Sequence, residues 1–191
     1  MNREHLELCS SAEWAERLRT ELLPWVFEAV DVPGDLLEIG PGPGAATAVL
    51  REQVRRLTAV ESDQDLADRL KERFADDPRV TVQHADATDL PFADGGFSAA
   101  ASFTMLHHVP SAAMQDRLFA EVARVLRPSG VFFGTDSLDG PGFRRLHADD
   151  VCVPVDPLTL DERLRRAGFD RVDLAVLSLG VRFVARRSQA R

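Results

Sequence analysis

The sequence predicts an α/β fold built on a doubly wound, mostly parallel sheet of seven strands, and three observations carry that expectation. From Asp35 to Thr135, short apolar runs alternate with amphipathic helical stretches. The first run ends in a glycine-rich turn, Gly40-Pro41-Gly42-Pro43-Gly44, of the kind that joins a buried strand to a helix. After Gly168 the chain ends on two β-rich segments around Ser178-Leu179-Gly180, which read as an antiparallel hairpin. At 191 residues a single domain is expected over 1–191, with 1–34 as a helical cap and 35–191 as the sheet core.

Each element follows from local chemistry. Ser10-Ser11-Ala12-Glu13 has the Ser-x-x-Glu form of a capping box, and Trp14, Leu18 and Leu22 recur at helical spacing until Pro24 interrupts, so a kinked or paired N-terminal helix is expected. Pro33-Gly34 ends that region. Asp35 to Ile39 is the first strand, Ala45 to Val54 a helix, Arg56 to Glu61 the second strand, and Asp65 to Phe74 a helix presenting Leu66, Leu70 and Phe74. Val80 to His84 and Phe97 to Phe103 are the third and fourth strands. Ser111 caps a helix striped by Met114, Leu118, Val122 and Val125, which Arg127-Pro128-Ser129-Gly130 stops. Val131 to Thr135 is the fifth strand and Leu138 to Pro157, with little periodicity, a surface loop. Thr159-Leu160-Asp161-Glu162 opens a last helix, and Val172 to Leu177 and Val181 to Ala185 form the hairpin.

Composition narrows the function classes. A formal net charge of −8 disfavours a general nucleic-acid binder, since phosphates are held by clustered Lys and Arg and lysine occurs here once, at Lys71. The basic residues Arg182, Arg186, Arg187 and Arg191 read as a solvated end. Cys9 and Cys152 lack disulfide or metal-knuckle spacing, so reduced thiols and no metal site are expected. With no secretory leader and no long apolar run, a cytoplasmic protein off the membrane is expected. The chain contains no tyrosine, which excludes tyrosine catalysis.

In a doubly wound sheet ligands bind beyond the carboxyl ends of the strands, where strand order reverses. Gly40, Gly42 and Gly44 allow a sharp turn that lets a ligand lie against backbone N–H groups. Glu61, 21 positions after Gly40, stands where a carboxylate can accept both hydroxyls of a ribose. Asp86, past the third strand, can accept from an exocyclic amine such as that of adenine. Together they describe a nucleoside pocket. The turn by itself also satisfies a nicotinamide-dinucleotide fingerprint, or a tight strand-to-helix turn with no ligand.

The order of five segments separates these readings: Leu37-Glu38-Ile39-Gly40-Pro41-Gly42-Pro43-Gly44, Val60-Glu61, Asp86-Ala87-Thr88-Asp89-Leu90-Pro91-Phe92, the run Phe97 to Val109 with His107-His108, and Glu121 to Gly130. It resembles the class I S-adenosylmethionine-dependent methyltransferases, nearest the small bacterial type 11 family, over Leu36 to Phe133. The resemblance implies a Rossmann-like sheet and S-adenosyl-L-methionine as cofactor. It implies that Glu38, Gly40, Pro41, Gly42 and Gly44 line the methionine end, that Glu61 holds the ribose, that Asp86 and Ala87 meet adenine, and that Ser102, Phe103 and Thr104 border sulfonium and acceptor; Ser62, read with Asp63 at a helix cap, counts among the cofactor-binding residues. Asp63 is a rival carboxylate but reads as a helix cap. The family usually carries aspartate where Ser98 stands, a departure that bears on local packing.

Methyl transfer from a sulfonium is an in-line displacement that needs alignment and exclusion of water more than elaborate machinery. His107 and His108, after the fourth strand, are the candidate catalytic bases, with His147 a weaker choice and His5 and His84 structural. No Asn-Pro-Pro-aromatic run and no Pro-Cys nucleophile is present, which favours a small-molecule acceptor handled by a monomer or homodimer. The family's lid maps to the N-terminal helix with Trp14, Trp25 and Phe27 and to the loop Leu138 to Pro157, while the residues themselves read these aromatics as core. A non-catalytic cofactor-binding or regulatory module is the alternative, and a nicotinamide-dependent oxidoreductase a third.

Overall fold

β1 (Asp35–Ile39) is buried along its whole length between two parallel neighbours, β2 (Arg56–Glu61) and β4 (Phe97–Phe103), its acids Asp35 and Glu38 included. The computed structural model describes residues 2–32, 34–178 and 180–189; Pro33, Leu179 and Arg191, which figure in the sequence reading, lie outside them. Seven strands form one sheet in the order β3-β2-β1-β4-β5-β7-β6, completed by β3 (Val80–His84), β5 (Leu126–Asp136), β6 (Phe169–Leu177) and β7 (Gly180–Arg187). β1 to β5 run parallel and β7 antiparallel to both β5 and β6. Strand order reverses between β1 and β4, which opens the crevice at their carboxyl ends.

Alternation along the strands builds two cores. Leu37, Ile39, Ala100 and Phe132 pack with Phe119, Leu160 and Phe183 on one face. Leu36, Ala99, Ala101 and Phe133 pack with Leu50, Leu22 and Trp25 on the other. The first core is covered by α6 (Ala112–Val125) and α8 (Pro157–Arg166), the second by α4 (Ala45–Gln53) and the N-terminal helices. Ser98 closes the entrance of β1: its hydroxyl accepts from the Asp35 amide at 2.9 Å and donates to the Asp35 carbonyl at 3.0 Å. The departure from aspartate therefore leaves this end of the sheet tied.

Several boundaries differ from the sequence reading. The N-terminal region is three helices, α1 (Arg3–Cys9), α2 (Ala12–Arg17) and α3 (Leu23–Phe27). Ser11, not Ser10, caps α2 by accepting from the Trp14 amide at 3.1 Å, whereas Ser10 ends α1 with its hydroxyl on the Leu6 carbonyl at 2.7 Å. A π-helical turn, Leu18–Leu22, precedes Pro24, whose missing N–H leaves a carbonyl to be absorbed by wider winding. The helix capped by Ser111 stops at Val125, just before Arg127 to Gly130 as read, but that run lies inside β5 as a bulge instead of preceding a strand at Val131: Phe97 pairs with Leu126 and Ala99 with Val131, and Ser129 takes a positive φ of 62°. The region read as a loop contains α7 (Pro141–Leu146). α8 starts at Pro157 because Asp156 accepts from the Leu158 amide at 2.9 Å, ahead of the Thr159 box. α5 (Gln64–Arg73) is capped by Asp63 as read, through the Leu66 amide at 3.1 Å. Trp25 is core rather than lid. Among the described residues no helix is long and apolar enough to cross a membrane.

Gly134 sits mid-β5 with φ +157°, and a Cβ there would fall inside the Ser102 carbonyl of β4. Gly134→Ala must push two central strands apart, and urea unfolding is expected to show a loss of about 2–4 kcal/mol; an unchanged midpoint contradicts the close approach.

Candidate active site

The carboxyl ends of β1, β2, β3 and β4 open on one cavity of about 680 Å³. The turn after β1 enters its wall as Gly40, Pro41 and Gly42, with positive φ of 62° at Gly40 and 54° at Gly42. Its amides are consumed within the protein. Gly40 donates to the Val60 carbonyl at 2.9 Å, Gly42 to Glu61 Oε2 at 3.0 Å and Gly44 to the Pro41 carbonyl at 3.0 Å, while Pro41 and Pro43 have no N–H to give. The sequence reading placed these N–H groups against a ligand; the structure instead makes the turn a shaped wall. Met105 packs against the Cα of Gly40, where any side chain would collide with it.

Glu61 is the organising side chain. It is buried, and while Oε2 accepts from Gly42, Oε1 accepts from the Asp63 amide at 3.0 Å, so one carboxylate ties the turn after β1 to the turn after β2. Each oxygen keeps a lone pair for a further donor. Glu38, 1% exposed on the cavity wall, has an Oε2 with no hydrogen-bond partner. Burial, with Glu61 adding to it, lifts its carboxyl to about 7. The glycine turn is therefore flanked by two buried acids.

On the side formed after β3, Asp86 is exposed and turns back to accept from the Thr88 amide at 2.8 Å, and Ala87 lies beside it on the wall. Ser62 and Asp63 complete the wall, together with His84, whose Nε2 is 3.0 Å from the Ser62 carbonyl. After β4, Phe103 and Thr104 line the cavity, Thr104 with a positive φ of 49°, a conformation that non-glycine residues hold where surrounding structure imposes it. Three residues of the sequence reading lie off the cavity wall. Ser102 is wholly buried in β4, Gly44 packs under Leu70 of α5, and His107 is 1% exposed behind the wall. Trp14 of the mapped lid and Met105 of the Phe97 to Val109 run line the cavity, as do Leu66, Met114 and Asp150, which no motif marks because their positions depend on how remote elements fold over the crevice.

His108 reaches the wall from the 3-10 turn Leu106–His108. Around it lie three buried imidazoles: His5 of α1, His107 of the same turn, and His147 at the end of α7. His107 Nδ1 is 2.6 Å from Asp136 Oδ1, and His147 Nδ1 is 2.7 Å from the Phe143 carbonyl. Burial, reinforced by the neighbouring rings, lowers His108 to about 3 and His5 to about 4. At neutral pH His108 thus presents a neutral ring to the cavity.

A sheet in this order, with a crevice at its switch point and acids around the glycine turn, has the framework of a doubly wound nucleotide-binding domain. Residues 37–134, about half of the chain, match the family model described as a methyltransferase domain. The chain belongs to the class I S-adenosylmethionine-dependent methyltransferase family. It is 35% identical over 111 residues to a ribosomal RNA small subunit methyltransferase A of Parasynechococcus marenigrum (strain WH8102), covering 56% of this chain and 37% of that protein. It is 30% identical over 98 residues to a probable S-adenosylmethionine-dependent methyltransferase of Mycolicibacterium smegmatis, covering 51% and 36%. A SAM-dependent methyltransferase structure from Aquifex aeolicus has the same fold, with TM-score 0.76 at 14% identity over 97% of this chain and 98% of that one. The chain spans about a third of the length of the curated relatives it matches.

Two measurements follow from this geometry. A folded carboxyl held at about 7, above its ordinary 4.5, keeps its proton while the unfolded chain loses it, so the folded state binds more protons between those values and Glu38 makes stability fall as pH rises from about 4.5 to 7. The difference in stability between Glu38→Gln and wild type is expected to grow in the variant's favour across that window and level off above it; a pH-independent difference contradicts the burial of Glu38. Glu61→Ala removes both amide anchors, and S-adenosylhomocysteine binding measured by calorimetry is expected to weaken at least about 100-fold; a change under threefold contradicts the role of Glu61.

Proposed function

We propose that this protein transfers the methyl group of S-adenosylmethionine to a small-molecule acceptor. The observation that carries the reading is a single cavity in which two buried acids flank a glycine turn whose amides are already engaged. A pyrophosphate needs free N–H groups and an absence of negative charge at this turn, so a nicotinamide dinucleotide is a poor match. A nucleoside bearing a cationic centre is a good one: the unpartnered Glu38 Oε2 can accept from an ammonium, and Glu61 has lone pairs for two ribose hydroxyls. Ala45 and Ala46, in the first turn of α4 on the cavity wall, suit the amino-acid carboxylate, and Asp86 with Ala87 suits the adenine edge. The donor when bound supplies an electrophilic methyl on a positively charged sulfur.

The chain's own contribution is alignment and desolvation. Thr104, His108, Val109 and Met114, with Met105 against the glycine turn, line the part of the cavity after β4 and mix apolar bulk with one neutral imidazole. His108, with its depressed basicity, holds the acceptor by hydrogen bonding rather than storing its proton, and the His107 ring, anchored on Asp136, packs against it at 4.3 Å between centroids. An acceptor small enough to share about 680 Å³ with the donor fits this enclosure, and the net charge of −8 does not favour a nucleic-acid backbone.

Methyl-labelled S-adenosylmethionine, incubated with the purified protein and separately with a low-molecular-mass cell extract and with total RNA, separates the alternatives. Label is expected in the extract, reduced at least about 100-fold by Glu61→Ala. Label appearing in RNA overturns the acceptor class, and tight donor binding with transfer to neither fraction overturns turnover in favour of a cofactor-binding module.

A further inference from the structure

Four histidines from three separate parts of the chain meet beside the cavity. Ring centroids are 4.3 Å apart for His5 and His147, 4.3 Å for His107 and His108, and 4.7 Å for His107 and His147. One nitrogen from each of the four lies within 4.8 Å of every other. Three of these rings are buried, and His5 Nδ1, His107 Nε2 and His147 Nε2 have no hydrogen-bond partner. Buried polar nitrogens left in this way are costly and uncommon in a well-formed protein.

The partners that do exist are those of metal-ligating imidazoles. His107 places Nδ1 against the Asp136 carboxylate, and His147 places Nδ1 against a backbone carbonyl, so in each ring the far nitrogen carries the lone pair and both lone pairs are directed into the cluster. Asp136 is itself fixed, accepting from the Ser137 amide at 2.7 Å and the His107 amide at 3.3 Å. The turn carrying His107 and His108 is held by Gln115 of α6, whose amide group donates to the Leu106 carbonyl at 3.0 Å and the Val153 carbonyl at 2.8 Å. Asn2 joins the other two segments: its side chain accepts from the His5 amide at 2.9 Å and donates to the Leu146 carbonyl at 2.8 Å.

We propose that His5, His107, His108 and His147 bind one divalent transition-metal ion of borderline softness, zinc being the type case. An all-imidazole set suits zinc, nickel, copper or iron and not calcium or magnesium, which take oxygen ligands. Tetrahedral zinc with Zn–N of about 2.0–2.1 Å sets its ligand nitrogens about 3.4 Å apart, so closing the cluster requires contraction of at most about 1.4 Å. Four protein ligands leave no open position, which makes the ion a clasp fastening α1 and α7 to the turn after β4. Because His108 and Asp150 line the cavity, that clasp builds its outer wall. No Cys-x-x-Cys or His-x-x-x-His spacing announces the site, since its ligands are brought together only by the fold.

The test uses the untagged 191-residue protein stripped with a chelator, then titrated with Zn²⁺ against a chromophoric competitor and, separately, with Co²⁺ followed by its visible absorption. One ion per chain is expected, with tetrahedral cobalt bands, and His147→Gln and His5→Gln should each weaken zinc at least about 100-fold while circular dichroism is unchanged. Asp136→Asn should weaken zinc about 10–100-fold through the His107 ring. His5 lies on the peripheral α1, so its variant reads the site even where a change at His147 or Asp136 unfolds the chain. Failure of the stripped protein to take up stoichiometric zinc, or uptake that survives His5→Gln and His147→Gln unchanged, overturns the proposal. Either result stands whether or not methyl transfer is found.

Discussion

The structure depends on one carboxylate. Glu61 holds the Gly42 amide with one oxygen and the Asp63 amide with the other, so the turns at the ends of β1 and β2 are positioned by a single side chain. The Gly40 amide on the Val60 carbonyl adds a third tie across the same two strands. A carboxylate accepting backbone N–H bonds while buried is oriented before any ligand arrives, and preorganisation of this kind makes a polar contact in a water-poor crevice effective. The same engagement removes the turn's amides from a ligand's reach, leaving Glu38 and Glu61 as the polar groups beside the turn. That electrostatic character, more than the glycine pattern, distinguishes a site for a cationic nucleoside from one for a pyrophosphate.

The outer wall is built differently. Where the inner wall consists of strand ends, the outer wall comes from α1 and α2, the turn after β4 and the segment around α7, elements that are distant in sequence and joined through Asn2, Asp150 and the histidine cluster. The Asn2 backbone N–H donates to Asp150 Oδ2 at 2.9 Å, which draws the start of the chain onto the far side of the cavity. In the proposed reading the donor is held by the sheet ends and the acceptor by contacts between peripheral segments.

The sheet was readable because its signals are local. Buried runs such as Asp35–Ile39, the glycine stop and the side-chain caps at Asp63 and Ser111 all act within a few residues, and each appears where the sequence places it. Readings failed where two local signals competed or where a distant contact decided. Ser10 and Ser11 both offer caps, and the choice of Ser11 follows from where α1 ends. Arg127 to Gly130 carries every sign of a turn, yet pairing of β4 with β5 on both sides turns it into a bulge. Ser102 and His107 belong to the right segments, but strand pleat and burial direct them away from the cavity, a distinction that side-chain orientation alone settles. The four histidines stand at 5, 107, 108 and 147, and nothing short of the tertiary fold joins them.

The most direct test of the account is a crystal structure with S-adenosylhomocysteine bound. It predicts both ribose hydroxyls on the Glu61 carboxylate with the Gly42 and Asp63 amides still donating to it, and the amino-acid end against Glu38. A nucleoside lying elsewhere in the crevice, or a Glu61 that releases those amides to accommodate it, would contradict the account.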